Sequence, residues 1–154
     1  MSDFTFLKDY CDNMPSRWKC GCEFKNGLSR AEIQRLAAQV QIAVPTELMR
    51  FYEWSYGAKL CEYQIYTIPQ IADTLVRLRT VYGRYERATI LPFGYFHGVG
   101  DYVAFDVADR RDDKIAIVDG FHELSPDEWK IVTYGLEHWL RELAENDFEP
   151  FWLA

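Results

Sequence analysis

The sequence predicts an α+β fold in which a mostly antiparallel sheet is flanked by about four helices. Apolar residues recur at helical spacing in the first half and again near the end. Short runs with strand-like alternation and short connections lie between them, which favours antiparallel pairing over a doubly wound parallel sheet. No linker rich in Pro, Gly or Ser interrupts the 154 residues, so we expect a single domain.

The first three predicted helices have recognisable starts and ends. Residues 4–14 form a short amphipathic stretch. Ser29 and Glu32 are spaced as a capping box, which predicts that a helix begins there. Pro45 suits the first turn of the next helix, and Gly57 is placed to end that helix in the left-handed conformation.

The middle and end of the chain supply the strands and the remaining helices. Alternation over residues 61–66 predicts one strand, and Pro69 opens a helix that runs to about Gly83. A final helix is expected from about Thr133, preceded by a possible single helical turn at residues 125–128. Three further short strands are predicted, at residues 89–93, 102–107 and 114–119.

The domain 1–154 is expected to have three parts. Residues 1–26 form a variable N-terminal lead, and residues 27–145 form the core. Residues 146–154 are too aromatic for a free end, so we expect this tail to pack back on the body.

The formal net charge of −7 excludes some classes of partner. Nucleic-acid binding needs a basic footprint, and docking on an anionic membrane needs one too. Residues 1–77 carry nine acidic and nine basic residues, whereas residues 78–154 carry fifteen acidic and eight basic ones. The acidic half either maintains solubility or steers a basic partner by long-range attraction.

The N-terminal residues lack the basic and apolar regions of a secretory signal, so we expect a cytoplasmic protein with reduced thiols. Cys20 and Cys22 have no second pair of metal ligands, and the three histidines are scattered. The sequence therefore predicts no metal site and gives no indication of a cofactor.

Catalytic motifs are also lacking. The acidic segment 106–113 does not have the order of a calcium loop, and no nucleophile elbow is present. His122 and Glu123 are adjacent, but neighbouring residues on a strand point to opposite faces. We therefore expect no catalytic residues and no enzymatic activity.

Four segments together resemble the SUKH superfamily, which comprises bacterial immunity proteins of toxin systems and fungal cell-wall-synthesis regulators. Residues 27–33 are similar to the opening helix of the family. Residues 44–52, followed by Gly57, are similar to its segment in which Leu-Pro precedes an aromatic residue. Residues 90–94 with 100–106 are similar to its central hairpin, and residues 134–143 to its last helix. The resemblance implies a protein that binds and neutralises a cognate toxin, often a nuclease.

We expect the partner to be a basic toxin domain that contacts acidic loops of the second half, which would mimic phosphate charge and raise the association rate. Two aromatic residues are candidate apolar anchors. The predicted contact residues are Asp109, Asp112, Asp113, Asp119, Phe121, Glu123, Asp127, Glu128 and Trp129. Two alternatives stay open: a regulatory or scaffold module for an endogenous partner, and a small-molecule enzyme with an unrecognised site. The sequence does not determine the oligomeric state.

Overall fold

The computed structural model describes residues 4–14 and 21–153. Within these residues, seven strands form one antiparallel sheet whose order follows the chain from β1 to β7. Five α-helices accompany the sheet. The α+β prediction is confirmed, with one more helix than the four or so that were expected.

The elements are defined by the following bounds. The helices are α1 (Thr5–Asn13), α2 (Arg30–Gln39), α3 (Thr46–Trp54), α4 (Ile68–Tyr82) and α5 (Leu136–Glu145). The strands are β1 (Cys22–Phe24), β2 (Ala58–Leu60), β3 (Tyr63–Ile65), β4 (Ile90–Phe96), β5 (Asp101–Arg111), β6 (Lys114–Gly120) and β7 (Lys130–Tyr134). Single 3-10 turns occur at Pro126–Glu128 and Phe151–Leu153.

The central strands are buried on both faces, because alternate side chains enter two different clusters. Phe93, Phe105 and Ile117 belong to the main core, which also contains the buried residues of α1, α2, α3 and α5. Ala104 and Val118 belong to a smaller cluster together with Leu78 of α4. Period-two alternation in the strands therefore places the later part of α4, at Leu78, on the opposite side of the sheet from the main helical layer, whereas Ile68 and Ile71 at its start belong to the main core.

The predicted helix ends are partly right. The Ser29 hydroxyl accepts a hydrogen bond from the Glu32 backbone N–H at 3.2 Å, so this residue caps α2 as expected. Pro45 precedes α3 as its N-cap. Gly57 does not end α3: the cap is Ser55, and Gly57, with φ of +84°, lies in the turn into β2.

One strand prediction is only partly right, since β3 covers Tyr63–Ile65 alone, and the predicted start of the last helix is wrong. Residues 61–66 are not one strand, because Cys61 adopts a positive φ of 57° and turns the chain between β2 and β3. Thr133 lies in β7, and α5 begins only at Leu136, after Gly135. The edge strand β1 was not predicted.

The expectation of reduced thiols is also wrong. Cys11 of α1 and Cys22 of β1 form a disulfide, and Cys61 is disulfide-bonded as well. Cys20 lies outside the described residues. Among the helices that are described, none is long and apolar enough to cross a membrane.

The C-terminal tail lies against the main core. Phe148 is buried, and the Trp152 ring lies 6.1 Å from that of Trp139 and 6.4 Å from that of Tyr63. This packing carries Leu153 to the end of the sheet where β5 begins and β6 ends, beside the cleft described next.

Candidate partner-binding surface

The β5–β6 hairpin separates the predicted contact residues into two groups. Asp112 and Asp113 form its exposed turn, and Asp109 lies close by on β5. Asp119 and Phe121 lie at the other end of β6, which is seven residues long. Because a strand rises about 3.3 Å per residue, the two groups are about 20 Å apart. The predicted contact residues of the acidic loops therefore lie in two separate regions.

A cleft of about 360 Å³ lies at the second region. Three predicted contact residues, Asp119, Phe121 and Trp129, line it. Its lining is mostly apolar and includes two carboxylates and one ammonium group. Among the described residues, the lining consists of Val99, Asp101, Asp119, Phe121, Leu124, Trp129, Lys130 and Leu153.

Trp129 forms a fixed wall of this cleft. It is 3% exposed, and its indole N–H donates to the carbonyl oxygens of Phe121 at 3.1 Å and Leu124 at 3.0 Å. Its ring stacks on that of Tyr102, with centroids 6.0 Å apart. Both hydrogen bonds hold the 121–124 segment around the indole, so Trp129 shapes the cleft and does not project from it.

Asp101 and His122 form a pair that the sequence did not indicate. Asp101 Oδ1 accepts the His122 backbone N–H at 3.1 Å and lies 2.7 Å from the ring Nδ1. The Tyr82 hydroxyl donates to the carbonyl of His122, and His122 Nε2 is 4.0 Å from Glu123 Oε1. The two paired residues are 21 positions apart and meet because Tyr102 faces Gly120 in the β5–β6 register.

Asp119 lies in an environment that disfavours its charge. Burial raises the pKa of its carboxyl above the ordinary value, the indole N–H of Trp152 offsets part of this, and the negative charge of Asp101 raises the pKa further. Among the described residues, Trp152 Nε1 is buried without a hydrogen bond of normal geometry. A cation placed near Asp119 would therefore relieve an existing electrostatic cost.

Asp127 has a structural task. Its carboxylate accepts the backbone N–H of Glu86 at 3.0 Å and that of Arg87 at 2.7 Å. These bonds join the 3-10 turn at Pro126–Glu128 to the segment before β4. Since the carboxylate satisfies two backbone donors, replacing Asp127 would disturb the fold as well as any partner contact.

Arg87 extends this connection to the wall of the cleft. It forms an ion pair with Asp106 at 2.9 Å, and its Nη1 donates to the Trp129 carbonyl at 2.5 Å. Burial alone would raise the pKa of Asp106, but hydrogen bonds from Thr89, Arg87 and the Ala108 N–H outweigh it and lower the pKa. The partly buried arginine therefore ties the residue directly before β7 to the segment before β4, beside the cleft.

The remaining acidic residues are available at the surface. Glu123 has a side chain that is 70% exposed, and Glu128 is exposed too. Asp109 is half-buried and accepts a hydrogen bond from the Tyr134 hydroxyl at 3.3 Å. Glu123 and Glu128 each precede a residue that lines the cleft, so this region combines a hydrophobic contact with long-range attraction for a basic surface.

Two adjoining polar grooves, of about 410 and 300 Å³, lie beside α4. Both contain Gln64, Gln70 and His97, and His97 Nε2 lies 3.0 Å from Gln64 Oε1. Among the described residues, no group of three or more side chains is arranged to hold a metal ion. These grooves are where the small-molecule alternative would have to be located.

Comparison with known proteins gives one family. The model described as SMI1 / KNR4 family (SUKH-1) matches residues 27–142, which include α2 to β7 and most of α5. None of the curated proteins matches the chain. The matched region begins after α1 and β1, so the disulfide between Cys11 and Cys22 lies wholly outside it.

Proposed function

The chain belongs to the SMI1/KNR4 family (SUKH-1), and from this membership we propose that it is an immunity protein. It binds a cognate toxin domain, a basic nuclease, and neutralises it by stoichiometric, non-covalent association. The observation that carries the proposal is the mostly apolar cleft with two carboxylates in its lining, which brings together Asp119, Phe121 and Trp129. Apolar burial supplies affinity for a protein partner, and the acidic surroundings raise the association rate.

The whole net negative charge of the chain lies in residues 78–154, the half that forms the cleft and the hairpin turn. A nuclease domain that binds phosphate has a positive surface. The two fields are complementary, and like-charged nucleic acid is repelled. This complementarity supports a basic protein partner over a nucleic acid.

A nuclease toxin would be neutralised in the cytoplasm, where its substrate lies. The Cys11–Cys22 disulfide would there meet a reducing thiol pool. Rapid alkylation of cysteines in intact cells measures their state directly. A disulfide that persists in intact cells would argue against the cytoplasmic location and for an oxidising compartment.

The direct test is co-expression with candidate toxin domains encoded in neighbouring genes. We expect the toxin alone to stop growth, and co-expression to restore it and give a 1:1 complex on size-exclusion chromatography. Growth arrest that persists despite soluble immunity protein would contradict the proposal. Absence of any toxin gene nearby would favour the regulatory or scaffold alternative.

Charge reversal separates the two acidic regions. Asp112→Lys with Asp113→Lys changes the hairpin turn, whereas Glu123→Lys changes the surface near the cleft. Asp127 is left intact because it binds the amides of Glu86 and Arg87. We expect each change to slow association and weaken its salt dependence. Unchanged rates and salt dependence in both variants would show that the acidic surface does not steer the partner.

A further inference from the structure

We propose that the cleft at the end of the sheet is an anchor pocket for an apolar side chain of the partner that stands next to a lysine or arginine. The inference rests on the proposed function, because it identifies the chemistry by which the partner would be recognised. It goes further by assigning one small part of the acidic half as the contact point.

The apolar part of the proposal comes from the cleft walls. Val99 is 52% exposed and Leu153 is 61% exposed, and both lie at the cleft. Trp129 forms a wall held by two hydrogen bonds. Exposed apolar groups around a preformed hollow mark a site where burial of one side chain yields binding free energy.

The charged part comes from the two carboxylates at the same cleft. Both hydrogen bonds to Asp101 end on Oδ1, so Oδ2 keeps its capacity to accept. Asp119 is destabilised as an anion by burial and by Asp101. Lys130 is the cation in the lining, which leaves a net negative charge. A guanidinium or ammonium group beside the apolar anchor would satisfy both carboxylates.

Charge complementarity also decides between occupants. A second copy of this chain would present the same carboxylates and a net charge of −7, so like charges would meet across a shared interface. An acidic or phosphorylated partner would meet the same repulsion. The structure therefore favours a basic protein segment with an apolar residue at its centre.

The test uses capped tripeptides as probes, followed by proton–nitrogen correlation spectra of the full chain. Acetyl-Lys-Leu-Lys-amide is compared with acetyl-Lys-Ala-Lys-amide and acetyl-Glu-Leu-Glu-amide at low salt. We expect saturable shifts of the Trp129 indole N–H and of the amides of residues 119–124. The alanine peptide should bind about tenfold more weakly, since it loses most of the buried apolar area, and the glutamate peptide should cause no shift.

Variants locate the binding. Asp119→Asn removes one charge with little change in volume and should weaken the binding of acetyl-Lys-Leu-Lys-amide about fivefold. Asp112→Asn, in the distant turn, is the matched control and should have no effect. The inference is overturned if the leucine and alanine peptides bind with equal affinity, or if the signals of the cleft residues do not shift. It is also overturned if Asp112→Asn in the turn, and not Asp119→Asn, weakens peptide binding. Self-association of the chain through these same signals would also overturn it.

The outcomes distinguish the inference from the proposed function. If the toxin is neutralised by co-expression but no peptide shifts the cleft signals, the anchor assignment is wrong and the immunity function stands. If the peptides bind as described but no toxin is neutralised, the pocket chemistry stands and the proposed function fails.

Discussion

Replacing Arg87 by methionine should lower the free energy of unfolding by about 3 kcal/mol. The guanidinium pairs with Asp106, and the two side chains are only 20% and 11% exposed. Removing one partner of a buried pair costs about 3–5 kcal/mol, because the other charge is left uncompensated, and this pair is mostly but not fully buried. Asp106 keeps its hydrogen bonds from Thr89 and Ala108, so we expect the lower end of that range.

Urea unfolding at neutral pH, followed by tryptophan fluorescence, measures the effect. The matched control is Arg84→Met, an exposed arginine three positions earlier, which should change stability by less than about 0.5 kcal/mol. Adding Asp106→Asn to Arg87→Met should recover part of the lost free energy of unfolding, because a neutral amide then replaces the unpaired carboxylate. Two results together would refute the ion pair as a major support of the cleft wall. The first is a decrease in the free energy of unfolding below about 1 kcal/mol for Arg87→Met, and the second is additive effects of Arg87→Met and Asp106→Asn in the double-mutant cycle.

The pH dependence of the same variant has a definite sign. The pKa of Asp106 is lowered in the folded state, so its stabilising contribution is fully present above the unfolded carboxyl pKa of about 4. It is lost as pH falls through the folded pKa. The difference between wild type and Arg87→Met should therefore shrink in acid. A difference that stays constant down to about pH 2 would contradict this assignment.

Three further predictions concern other parts of the chain. Removing the Cys11–Cys22 disulfide, whose partners are 11 positions apart, by Cys11→Ala with Cys22→Ala should lower the free energy of unfolding by about 3 kcal/mol, measured by urea titration of variant and wild type without reductant, which keeps the Cys61 disulfide intact; an unchanged midpoint would contradict it. Gly27→Ala should cost about 3 kcal/mol in thermal or urea unfolding, because its Cβ would lie 1.9 Å from the Glu53 carbonyl oxygen, and wild-type stability would show that the backbone adjusts freely. Asp119→Asn should stabilise the protein at pH 7: the folded pKa of Asp119 is raised, so its cost is absent below the unfolded pKa and appears as pH rises through the folded one. A stabilisation that persists at about pH 3 would be the opposite result.

Most of the helices could be predicted from the sequence, because their signals are local. The hydroxyl of Ser29 caps α2 through an amide three positions later, and Pro45 stands directly before α3. The short strands were harder. β1 to β3 have three residues each, too few to establish a period. Cys61 adopts a turn conformation that favours glycine, and nothing in its neighbours indicates this.

The site was predictable only in part. Asp119, Phe121 and Trp129 are close in the chain, so sequence reasoning grouped them, and the structure places them in one cleft. Asp101 and Leu153 join that cleft through strand register and tail packing, which no local pattern encodes. Glu47 shows the same limit, because its carboxylate accepts the amides of Ile115 and Leu136, 68 and 89 positions away.

The central claim, stoichiometric neutralisation of a toxin domain by binding, is tested most directly by titrating purified toxin with this protein and measuring residual toxin activity. We predict that activity falls linearly and reaches zero at one equivalent, and that separating the complex in denaturant yields chemically unmodified toxin. Inactivation by much less than one equivalent would identify an enzyme that acts on the toxin. Full toxin activity at a large excess of this protein would contradict the account.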